Sequence, residues 1–180
     1  MRRHAIIVLG LAAIIMPQPA LARDVRFWRD ASNVGRDTLV VAALGLPAIK
    51  GDWQGDLQAG GSMGVSLLAT AGLKKAFPEW RPDHSDRKSF PSGHASVSFA
   101  AAASLQNRYG WQVGLPAQLV AAFVGFSRVE ARKHHWYDVA IGAGVGEASG
   151  FLLTSRRDSK VRVLPWGDMH GAGLAMAARF

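Results

Sequence analysis

At 180 residues the chain is long enough for one domain with a real core and too short for two comfortable ones. It contains no cysteine, which excludes thiol nucleophiles, disulfides and thiolate metal sites, so its chemistry must run on histidine, serine, carboxylates and bases. The formal charge of +8 suits an anionic partner, but no nucleic-acid motif accompanies it, and nucleic acid is not expected as the partner.

Residues 1–22 read as an export signal. Arg2 and Arg3 make a positive start, and Ala5 to Met16 form an apolar stretch too short to span a bilayer comfortably. Pro17 and Pro19 break it, and Ala20-Leu21-Ala22 gives a small-x-small cleavage pattern with Arg23 as the mature N-terminus. A retained N-terminal anchor is the alternative. The expected compartment is the periplasm, with residues 23–180 as a single domain carrying about +6, from 19 Lys and Arg against 13 Asp and Glu.

Residues 23–36 are polar apart from Phe27 and Trp28 and read as a surface lead-in. Asp37 or Thr38 is placed to cap a short helix through Ile49, ended by Lys50-Gly51. A longer Gly-, Ser- and Ala-rich helix follows from Asp52 to Phe77 and stops at Pro78, before the proline-punctuated loop "PEWRPDHSDRKSFP". Ser92 or Gly93 opens the next helix, to about Arg108, and Pro116 is expected in the first turn of another that reaches about Phe126. A last helix is expected from about His134 to Ser155, interrupted by Glu147. The tail alternates at Val161 and Val163 and again at Leu174, Met176, Ala178 and Phe180 around a glycine-flanked turn, which predicts a β-hairpin. The fold class is therefore all-α, a bundle of about five core helices packed through small residues with a short C-terminal β-hairpin. Such a bundle suits water or a membrane seat equally, and both remain open.

Polar and ionisable residues gather in three places, each at the end of a helical stretch. "KKAFPEWRP" carries Lys74 and Arg81, "PSGH" runs from Pro91 to His94, and "SRVEARKHHWYD" carries Ser127, Arg128, His134 and Asp138. A helix start favours negative charge through its free N–H groups and dipole. Gly93 there lets an anion approach the backbone, Ser92 adds a hydroxyl, and His94 stands one residue away with a proton to give. The Ser-Gly pair also suits an ordinary helix cap. His134 and Asp138 are four apart and share a face if helical, where a carboxylate on one ring nitrogen would fix the tautomer and leave the other able to attack phosphorus; the same spacing also suits an ordinary surface contact. Arg81 and Arg128 offer planar forks for phosphate oxygens, and Lys74 a point charge, although each taken singly also reads as a solvated surface base. Asp83 and Asp86 read as solvated loop charges. His84 is a candidate for lining the entrance, while His4 and His170 match nothing. Trp80 and Trp136 serve either packing or contact with an apolar substrate.

Lys74-x6-Arg81-Pro82, then Pro91-Ser92-Gly93-His94, then Ser127-Arg128-x5-His134-x3-Asp138 resembles the three-part signature of the type 2 phosphatidic acid phosphatase (PAP2) superfamily. Every signature position is filled, in order. The resemblance implies roles: His134 as nucleophile, Asp138 as its orienting partner, His94 as general acid, and Lys74, Arg81, Ser92, Gly93 and Arg128 as the phosphate clamp. It also implies no metal and no cofactor. Lys75 beside Lys74 and His135 beside His134 are separated from them by motif spacing alone. The implied activity is hydrolysis of a phosphate monoester or pyrophosphate, with a phosphorylated lipid as partner and a membrane association. A soluble acid phosphatase of broad specificity, a vanadate-dependent haloperoxidase and a non-enzymatic phosphate or lipid binder are the alternatives.

Overall fold

The computed structural model describes residues 25–157, 161–168 and 170–178; the expected export signal and its cleavage point lie outside them. The order is α1 (Val25–Ile49), α2 (Trp53–Ala76), α3 (Gly93–Tyr109), α4 (Trp111–Glu130), α5 (Trp136–Leu153), β1 (Val161–Asp168) and β2 (Gly171–Ala178). The five helices and the terminal antiparallel hairpin are the expected elements, with Val161 opposite Ala178 and Asp168 opposite Gly171.

Three boundaries differ from expectation. Residues 25–36 are not a lead-in but the first half of α1, so Asp37 and Thr38 lie inside a helix. Their polar face packs inward, where Ser32 is fully buried in line with Leu39, Ala43 and Pro47. Pro116 is the sixth residue of α4, which starts instead after Gly110, whose φ of 88° turns the chain sharply out of α3. The last helix starts at Trp136, leaving His134 and His135 ahead of it.

Small residues make the core. Ala59, Ala100, Ala101, Ala102, Ala117 and Ala121 pack with Leu39, Met63, Val97 and Leu105, while bulky side chains such as Leu68, Leu119 and Trp111 face outward. Buried hydroxyls pair across helices, Ser62 with Ser104 at 2.6 Å and Thr70 with Ser96 at 2.8 Å, which satisfies groups that would otherwise be stranded. At the end of the bundle away from the signature residues, Asp52 caps α2 and takes a buried ion pair from Arg108 and a hydrogen bond from Tyr109. The Arg108 guanidinium holds the Asp52 carboxyl down at about 2.

Glycines at a spacing of four let α5 lie directly on α3. A Cβ on Gly142 would stand 2.5 Å from the Ser92 carbonyl oxygen, on Gly146 2.3 Å from that of Ser96, and on Gly150 2.4 Å from Ala103 Cβ. This close approach matters to the site, because it sets the start of α3 beside the start of α5, where the Ser92 N–H donates to the Asp138 carbonyl at 2.9 Å. Gly146→Ala is therefore expected to lower stability by about 1–3 kcal/mol, read as a lower urea midpoint. An unchanged midpoint would show that the two helices tolerate separation.

Candidate active site

The start of α1, the end of α2, the start of α3, the end of α4 and the start of α5 meet at one end of the bundle, and every signature residue lies there. The α2–α3 loop is the floor. It is pinned by Ser89 N–H to Glu79 O (3.0 Å) and Arg81 N–H to Asp86 O (3.0 Å), and by Lys74, whose ammonium donates to the carbonyls of Lys88 (2.7 Å), Ser89 (3.3 Å) and Pro91. Lys75 is exposed, so of the two lysines Lys74 is the one that reaches the site. Burial, helped by the charge on Arg81, brings the Lys74 ammonium down to about 8.

His134 is 3% exposed. Its Nδ1 lies 2.7 Å from the Ser89 carbonyl, which only accepts, so the proton sits on Nδ1. Its Nε2 lies 3.5 Å from Arg81 Nη1, which only donates, so this nitrogen carries the lone pair. Burial, with Arg128 and Arg81 nearby, outweighs the raising effect of Asp138 and brings the imidazole down to about 4. It is neutral at physiological pH.

Asp138 corrects one part of the sequence reading. His134 precedes α5, so helical spacing does not join the pair; the Ser89 carbonyl is the nearest partner of Nδ1, and the carboxylate stands 3.6 Å away. Asp138 Oδ2 instead accepts from Ser89 Oγ (2.5 Å) and the His135 N–H (2.8 Å), and Oδ1 has no hydrogen-bond partner among the described residues. Burial would raise this carboxyl, but the nearby His134 ring and the hydrogen bonds from Ser89 and the His135 N–H prevail and hold it at about 2. His135 turns outward, stacked on Tyr137 with 5.0 Å between ring centres.

Ser92 caps α3, its Oγ accepting the Ala95 N–H at 3.4 Å. Nothing among the described residues demands a glycine at 93, since a Cβ there would meet only Thr70 Cγ2 at 3.7 Å. Arg128 is buried with Nη1 on Ser32 Oγ (3.2 Å) and Nε without a partner among the described residues. Burial and the neighbouring Arg81 and Arg36 lower its guanidinium to about 10. The His94 Nε2 lies 2.8 Å from Asn33 Oδ1 and 3.0 Å from Arg36 Nη1. Burial, then the charges of Arg128, Arg36 and Arg81, push His94 down to about 3, so both imidazoles feel one cationic cluster.

The loop acids are not free in solvent as the sequence implied. Asp86 pairs with Arg81 Nε at 2.7 Å and Asp83 with Lys133 at 2.5 Å, and both brace the floor. His84, in a left-handed conformation (φ 55°), lies exposed near Trp80. The one grouping with metal-ligand geometry among the described residues is Glu79, His135 and Asp138, but Asp138 Oδ2 already accepts two hydrogen bonds and Glu79 accepts one from Tyr137.

Sequence reasoning missed Ser89, Ser32, Asn33 and Arg36. Ser89 acts partly through its backbone carbonyl, which no side-chain pattern encodes. The others were findable: extended through residue 25, the helical period puts Ser32, Asn33 and Arg36 on the side that continues into buried Leu39 and Ala43.

The PAP2 superfamily profile matches residues 56–162. The chain is 34% identical over 115 residues to the lipid A 4'-phosphatase of Helicobacter pylori (56% of this chain, 58% of that one). It is 34% identical over 168 residues to the lipid A 1-phosphatase of Porphyromonas gingivalis (83% of this chain, 37% of that one). It thus spans little more than half of the first relative and about a third of the second. Among solved structures, LpxE of Aquifex aeolicus superposes with a TM-score of 0.62 at 21% identity, covering 72% of this chain and 84% of that one, which shows the fold. The transmembrane PAP2-type phosphatidylglycerolphosphate phosphatase of Bacillus subtilis superposes at 0.57 with 26% identity, covering 78% of each chain. With the signature residues gathered at one end of a five-helix bundle and the profile covering more than half its length, the chain belongs to the PAP2 superfamily.

Proposed function

We propose that the protein is a metal-independent phosphatase that removes a phosphate from a lipid through a phosphohistidine. The observation that carries this reading is the neutral His134, its Nδ1–H fixed on Ser89 and its Nε2 lone pair turned toward Arg81 in a cluster of cations. Nε2 attacks phosphorus, the bond to the leaving oxygen breaks, and that oxygen takes a proton from His94. An arriving phosphate offsets the cations that depress His94 and so lets it carry that proton. His94, then neutral, takes a proton from water, which attacks phosphorus and breaks the N–P bond. Arg81, Arg128 and the Gly93 N–H neutralise the equatorial oxygens. The buried Nε of Arg128, without a partner among the described residues, is a donor that such an oxygen satisfies.

The lipid part rests on the surface around the site and on the relatives. Phe77, Trp80, Phe126 and Trp136 are all more than half exposed and adjoin signature residues, and basic Lys75, Arg87 and Arg132 lie exposed among them. An apolar groove of about 400 Å³ runs past Leu73, Phe77, Phe90, Tyr137 and Ile141. Aromatic and basic side chains together suit an anionic lipid surface. No helix among the described residues is long and apolar enough to cross a membrane. The export signal expected in residues 1–22 puts the enzyme in the periplasm.

Phosphate release from vesicles carrying a phosphorylated lipid, in chelator, tests this. For the substrate monoanion, which brings the proton that His94 takes up on binding, kcat/KM is expected to fall below pH about 4, where His134 gains a proton, and above about 8, where Lys74 loses one. Dependence on added metal, or no release from any phospholipid, would overturn the reading.

A further inference from the structure

α1 lies outside the signature, yet it touches the acid histidine. Arg36 is anchored on its exposed side, where Nε and Nη2 each sit 2.8 Å from the Asp37 carboxylate, and Nη1 faces His94 Nε2 at 3.0 Å. Asn33, one turn earlier, brings Oδ1 to 2.8 Å from the same nitrogen. One ring nitrogen cannot serve both. Arg36 requires a lone pair there, and the Asn33 carbonyl requires a proton. With the Asn33 amide turned over, two donors would share a single lone pair, and the conflict remains. An anion that takes the Arg36 N–H resolves it: Asn33 then accepts from Nε2–H, and the imidazolium keeps Nδ1–H for the leaving oxygen. Arg36 contacts the acid rather than the nucleophile, so an anion held by it lies on the leaving-group side.

We propose that Arg36 and Asn33 form a leaving-group subsite, and that this subsite favours substrates whose leaving group is itself an anion, the diphosphate ester being the simplest. The inference rests on the phosphatase reading above. With a diphosphate, the bond from His134 to the terminal phosphorus forms while the bridging P–O bond breaks. The electron pair stays on the departing alkyl phosphate, whose oxygen receives the His94 proton and whose remaining charge pairs with Arg36. Such an ion-paired contact is worth about tenfold or more in discrimination.

The test compares octyl phosphate with octyl diphosphate, following octyl phosphate formed from the latter, in wild type, Arg36→Met and Arg36→Lys. The ratio of kcat/KM for diphosphate over monophosphate is expected to fall about tenfold or more in Arg36→Met and to recover partly in Arg36→Lys. The ratio is internal to each protein and so is unaffected by a partly folded preparation. An unchanged ratio, or a wild type that cleaves only the monophosphate, overturns the subsite and leaves the phosphatase reading standing. A wild type that cleaves neither overturns both.

Discussion

His134→Ala is expected to lower kcat/KM by about 10⁴-fold or more, because it removes the group placed to form the covalent intermediate. The loss is chemical rather than structural if the variant keeps its unfolding free energy, read from urea denaturation, within about 1 kcal/mol of wild type, as expected for a ring whose main tie is one hydrogen bond to the Ser89 carbonyl. His135→Ala is the contrast. Its backbone N–H, the group that supports Asp138, survives the substitution, and less than about a tenfold loss is expected. Equal losses in the two variants would remove the distinction between the adjacent histidines. Substantial residual turnover in His134→Ala would remove the covalent route.

The second large effect depends on the leaving group. For an alkyl phosphate, His94→Ala forfeits proton donation to a strongly basic alkoxide, and kcat/KM is expected to fall by about 10²–10⁴-fold. For nitrophenyl phosphate the departing phenolate is stable near neutrality, and the fall is expected to be under about tenfold. The comparison uses kcat/KM, which stops at formation of the phosphorylated enzyme and so leaves out the later role of His94 toward water. A uniform loss on both substrates would assign His94 to binding. The half-buried position of His94 among Arg128, Arg36 and Arg81 explains why it needs the substrate's charge before it can hold a proton.

What was legible in the sequence follows from where chemistry meets helix ends. Lys74 precedes Pro78, Ser92 and His94 follow Pro91, and Arg128 and His134 bracket the turn into α5, so proline, glycine and capping residues marked the same places as the charges. The start of α1 was illegible for the opposite reason. Ser32, Asn33 and Arg36 look like a solvated surface because polar residues ordinarily are one, whereas here the polar face turns into a polar site. The His134–Asp138 pair was found by a spacing that is not its cause. His135 serves as the N-cap of α5, Asp138 folds back onto the His135 N–H, and His134 is held by the loop before α3, a long-range contact that no local period reveals. The start of α4 was misplaced because Pro116 drew attention from Gly110, whose positive φ makes the turn. The loop acids misled in the same way as α1: Asp83 and Asp86 are loop residues, yet their partners Lys133 and Arg81 make them part of the floor.

The covalent step is tested most directly by trapping it. Wild-type protein mixed briefly with labelled substrate in chelator, then denatured in alkali so that phosphohistidine survives, is expected to carry the label on the peptide containing His134, at that residue and not at His135. Label on any other side chain, or steady turnover with no labelled protein even when His94→Ala slows the second step, would contradict it.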